Sequence, residues 1–97
     1  MIVVDELRTY TAKGRLSGQW CHMMSDTHDL DELHAFAARL GLRRSWFQNA
    51  RSAPHYDLRP AKRALAVTLG AKEVSWRDVG RLVLARAEAV RVGAKDV

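Results

Sequence analysis

Residues 20–36 read WCHMMSDTHDLDELHAF, and the change of period inside this run decides the fold class. In its first part Trp20, His22 and Met24 fall on one side of an extended chain, with Cys21 and Met23 on the other. In its second part the apolar residues recur at helical spacing: Leu30, Leu33, Ala37 and Leu40, with Gly41 following as a left-handed stop. Asp29 with Glu32 three residues later has the form of a capping box, and Thr27 is the alternative cap. The run therefore predicts a short strand passing through a polar turn into a helix. It also gathers three of the four histidines (His22, His28, His34), the only cysteine and four acidic residues.

Upstream, Ile2-Val3-Val4 is a β-branched run that stops at Asp5, the pattern of a buried strand with a polar rim. Residues 7–19 hold Lys13-Gly14-Arg15 and Ser17-Gly18 and read as a loop or loose hairpin. Downstream, residues 42–48 (LRRSWFQ) read as a strand leaving the first helix. Residues 49–54 form a polar loop, and His55-Tyr56-Asp57-Leu58 leads into a second helix with Pro60 in its first turn. Ala61, Leu65, Thr68 and Leu69 give that helix an apolar face, and Gly70 ends it. Residues 72–74 make a brief strand. Ser75 caps a third helix, with Asp78 at the capping-box position. Trp76, Val79, Leu82, Val83, Ala87 and Val90 point inward, and Arg86 falls within the same stripe.

Helix followed by strand, twice over, favours a small mostly parallel sheet with about three covering helices. Ninety-seven residues make one α/β domain, 1–97, with a single core. No apolar run is long enough to cross a bilayer, and the first ten residues lack the basic start of a secretory signal. One cysteine excludes an internal disulfide and a Cys-rich zinc site, which suits a reducing, cytoplasmic setting. The net charge of +5 and a pI near 10 favour anionic partners such as nucleic acid or nucleotides. That charge is spread along the chain rather than gathered in a tail.

Several short pieces recur in order across nearly the whole chain: Val4-Asp5, Cys21-His22-Met23, Ser25-Asp26-Thr27, Glu32-Leu33-His34-Ala35, Arg43-Arg44 with Trp46, His55-Tyr56-Asp57, Lys62-Arg63-Ala64, and Gly70-Ala71 with Trp76-Arg77. In these the chain resembles a small family of phage and bacterial proteins, domain of unknown function 4031. The resemblance implies no established activity, and it is compatible with a phage-encoded origin. The spacing before Glu32-Leu33-His34 is slightly longer than the family's usual form, so Asp26 and Asp29 compete for one role. Arg59 stands where a small capping residue is expected.

His22, His34 and His55, with Asp5, Asp26 and Asp57, form a constellation able to hold a divalent metal or act as acid–base groups. The expected metal ligands are Asp5, His22, His34 and His55. The expected catalytic groups are His22, His55 and Asp57. A phosphate-directed hydrolase also needs cations, and Arg43, Arg44, Arg51, Lys62 and Arg63 supply them, the last two at a helix start. Trp46 and Tyr56 flank this loop as stacking platforms, whereas Phe47 and Trp76 fit the core. Against each stands a plainer reading. His34 suits a hydrogen-bonded core histidine, Asp26 or Asp29 a helix cap, Cys21 a buried thiol, and His28 an exposed residue. On that reading the histidines are a structural network in a non-enzymatic protein that binds a host or phage protein. The irregular stripe of the third helix fits such an interface, or a homodimer.

Overall fold

The computed structural model describes residues 1–11, 17–50 and 53–95, with side chains as far as residue 88. The hub is an eight-residue strand. We label the strands β1 (Ile2–Val4), β2 (Arg8–Tyr10), β3 (Gly18–Ser25), β4 (Tyr56–Leu58) and β5 (Lys72–Glu73), and the helices α1 (Leu30–Arg39), α2 (Pro60–Thr68) and α3 (Trp76–Lys95). β3 pairs antiparallel with β1, β2 and β4, and β1 pairs parallel with β5. The sheet is thus mixed, and the mostly parallel arrangement expected from the sequence is corrected. Only the second helix–strand unit delivers a parallel strand. In the first, residues 44–46 close a short 3-10 turn instead of a strand, because Gly41 (φ 78) turns the chain and Leu42 N–H bonds back to the Ala37 carbonyl. Gln48 makes only an isolated bridge to His55.

α1 forms as its sequence directs. Asp29 is the N-cap and accepts from the Glu32 N–H at 3.0 Å. Glu32 does not close the box. Ser25 Oγ accepts from Asp29 N–H instead, at 3.1 Å, and Asp26 pairs with the Met1 amine at 2.9 Å. Ser75 and Asp78 do form the reciprocal box at the start of α3, at 3.1 and 3.3 Å.

Strand alternation then sorts the sheet into two faces. Val4, Cys21, Met23, Tyr56 and Leu58 point to one face and pack with Leu33, Phe36, Ala37 and Leu40 of α1 and Ala66 of α2. The α2 face differs from expectation: Ala61, Leu65 and Thr68 are exposed, and Ala66 is the residue buried. Lys62 and Arg63 lie beside it because their heads reach backbone carbonyls, Lys62 at Leu40 (2.5 Å) and Arg63 at Asp5 (2.9 Å). α3 lies over the opposite face. Its Val79, Leu82 and Val83 are half-buried, and its Trp76 and Leu84 are exposed. Arg86 donates to the Ser25 carbonyl, which explains a cation within the apolar stripe. Among the described residues, no helix is long and apolar enough to cross a membrane.

Candidate functional site

The site grows from one cross-strand pair, His22 on β3 opposite Asp57 on β4. His55, two residues before Asp57, stands on the same face by alternation. The His22 and His55 rings meet edge to face with centroids 5.0 Å apart. His55 Nε2 lies 3.4 Å from Asp57 Oδ1. One ligand atom from each of His22, His55 and Asp57 falls within 4.8 Å of the other two.

What surrounds the two imidazoles fixes how they present themselves. The carboxylate of Asp5, only 1% exposed, accepts from the His22 backbone N–H at 2.6 Å and from His22 Nδ1–H at 2.7 Å. His55 Nδ1–H donates to the Ala53 carbonyl at 2.6 Å. Both Nδ1 partners can only accept, so each Nδ1 carries a proton, and His55 Nε2 lies toward the Asp57 carboxylate. This is the arrangement by which metal-ligating histidines are oriented. Asp57 is itself held by Gln48, whose Nε2 donates to Oδ2 at 2.5 Å.

A local irregularity brings Asp5 here. Val4 is opposite Met23 and Arg8 opposite Trp20, so the first chain holds one more residue than β3 does over the same stretch. Such a bulge re-aims side chains next to a site. Burial opposes charging of His55, but the hydrogen bonds it donates to Asp57 and to the Ala53 carbonyl, with the nearby negative charges of Asp57 and Asp5, outweigh it and raise its pKa above the ordinary value. For Asp57, burial acts upward, and the His55 contact and Gln48 bring its pKa below the usual carboxylate value.

The family model described as Protein of unknown function (DUF4031) matches residues 2–86. The chain belongs to the DUF4031 family. No curated protein and no solved structure matches it.

The structure divides the residues singled out in this DUF4031 sequence. His22, His55 and Asp57 converge, and Asp5 stands behind His22. His34 does not join them: it lies on α1, on the other sheet face, with Nδ1 2.8 Å from Tyr56 Oη and its ring edge-on to Phe47 at 4.5 Å. Tyr56 is buried there, at 1% exposed, so its ring is not a free stacking surface. Trp46 is exposed, with the Arg43 guanidinium 5.7 Å above it. Arg43 and Arg44 accompany Trp46 rather than the histidine pair, and Lys62 and Arg63 cap carbonyls as described. Arg51 lies outside the described residues, as does the Val90 side chain. Cys21 is buried, and burial pushes its thiol up to about 12.

Three contributors were given no part in the site by the sequence. Gln48 braces Asp57, and Arg8 and Arg59 stack on tryptophans beside the site, Arg59 over Trp20 at 3.8 Å and Arg8 over Trp76 at 2.8 Å. Trp76 lines an open cleft of about 290 Å³ with Asp5, His22, Val79, Gly80, Val83 and Leu84. The sequence signal for Arg59 was its misfit as a helix cap: it makes no capping bond and donates to the Ser17 carbonyl at 2.6 Å instead.

Proposed function

We propose that this protein binds a divalent metal through His22 Nε2, His55 Nε2 and Asp57, and that the loaded centre serves hydrolysis. One observation carries the reading. Both histidines have Nδ1 tied to an acceptor, and one ligand atom of each lies within 4.8 Å of the other and of an Asp57 oxygen. Two histidines and one carboxylate with further positions open are a ligand set known from catalytic zinc and non-haem iron sites. When bound, the metal would activate water at neutral pH.

The chain's own residues have separate tasks. Asp5 orients His22, the Ala53 carbonyl orients His55, and Gln48 keeps one Asp57 oxygen occupied so that the other faces the histidines. Nucleic acid or a nucleotide is the anionic substrate class that the net charge of +5 supports. The alternative is a histidine network without metal in a protein-binding module, and the same experiment separates the two. Cobalt(II) titrated into the metal-free chain should give a stoichiometric visible absorption that is lost in His22→Ala, His55→Ala and Asp57→Ala and kept in His34→Ala. Absence of binding to the wild-type chain refutes the metal centre.

A further inference from the structure

The sheet register places more than metal ligands on the site's face. Arg8 and Trp20 are Cα partners, and Cys21 is opposite Leu58, which brings Arg59 alongside Trp20. One row across the face therefore reads Arg8, Trp20, Arg59. The next row holds His22 and Asp57, with Asp5 behind. Alternation along each strand keeps these side chains on one side of the sheet. Each guanidinium lies over an indole, and Arg59 also donates to the Ser17 carbonyl.

Beside this cationic row the cleft beneath α3 is walled by Trp76, Val79, Val83 and Leu84 and floored by His22 and Asp5. A fixed positive edge, a ligand cluster and an apolar wall thus adjoin within one small face. We propose that this face recognises a small phosphate ester, its anion held by Arg8 and Arg59 and its planar or apolar group laid in the cleft under α3. The proposal rests on the metal-dependent reading above and names its substrate class. Charge complementarity selects the anion, since phosphate matches the planar fork of arginine. The size of the cleft, about 290 Å³, fits a small molecule. A nucleic-acid strand would instead follow the exposed Arg43, Arg44 and Trp46 on the far side.

The test is calorimetric titration of the full-length chain with phenyl phosphate, orthophosphate and a single-stranded oligodeoxythymidylate, each with chelator and with added zinc. Phenyl phosphate should bind about tenfold more tightly than orthophosphate, a difference of about 1.4 kcal/mol. Arg8→Gln, at an exposed strand position, should weaken both phosphates about tenfold. Val83→Glu should abolish the preference for the aryl ester, and Arg43→Gln should change neither. Equal affinity for the two phosphates, or an unchanged affinity in Arg8→Gln, overturns the proposal, as does tighter oligonucleotide binding that depends on Arg43. Zinc binding on the same samples keeps the two ideas apart. Zinc without phosphate removes this inference alone, and phosphate without zinc removes the hydrolytic reading and leaves the recognition face standing.

Discussion

The two faces of the sheet each carry a histidine beside an aromatic or an acid, and they use it in opposite ways. On the α1 side His34 closes a polar gap in an apolar layer. Its Nδ1 meets the Tyr56 hydroxyl and its ring rests on Phe47. On the α3 side His22 and His55 are each held from behind by an acceptor, and one ligand atom of each lies within 4.8 Å of the other and of an Asp57 oxygen. Residue type does not separate these roles. What separates them is their company: Nδ1 is partnered in all three, but only His22 and His55 meet each other and Asp57 within 4.8 Å.

The contrast implies that damage to one face should cost stability and damage to the other should cost binding. Leu33 is fully buried in the α1 layer. Leu33→Ala should destabilise the fold by about 2–5 kcal/mol in urea unfolding, the usual range for a leucine cavity. A next, smaller effect concerns Gly18, whose φ of 97 suits glycine and whose added Cβ would lie 2.6 Å from an Arg59 nitrogen. Gly18→Ala should cost about 1–3 kcal/mol and should also weaken anion binding, since it dislodges Arg59 from Trp20. If stability falls with anion binding unchanged, Arg59 has no part in recognition.

Tyr56→Phe tests the other side of the comparison. It removes the hydroxyl that His34 uses, for about 0.5–1.5 kcal/mol, and should leave metal binding intact. A loss of metal binding in that variant would mean that the faces are coupled.

The smallest effect is in pH. Burial and then the Arg44 charge lower the His34 pKa below its ordinary value of 6.5, against a weaker opposing pull from Asp31. The folded chain then holds fewer protons than the unfolded chain between the lowered value and 6.5. The His34 contribution is therefore complete above that window and declines as pH falls through it. An NMR titration should show the His34 ring titrating below the ordinary value.

Much of the α1 layer was legible because its signals are local. The Leu30, Leu33, Ala37 spacing, the Asp29 cap and the Gly41 stop all act within a few residues of where they are read. The Trp20–His22–Met24 alternation was legible for the same reason. Strand direction was not, since strands of two or three residues carry no record of their partners. The segment LRRSWFQ has the composition of a strand, but a 3-10 turn closes over residues 44–46 and leaves Trp46 exposed. At the site, His22, His55, Asp57 and Asp5 stood out by type. That His34 stands on the opposite face follows from the packing of α1 beside Tyr56, and that Arg8 and Arg59 share the face of His22 follows from cross-strand register.

The central claim is that the α3 face, and not the α1 face, holds a metal. The most direct measurement is the zinc dissociation constant of the wild-type chain beside His55→Ala and His34→Ala. The expected result is a single site whose affinity falls at least about 100-fold in His55→Ala and is unchanged in His34→Ala. Equal affinity in all three chains, or no site in the wild type, contradicts it.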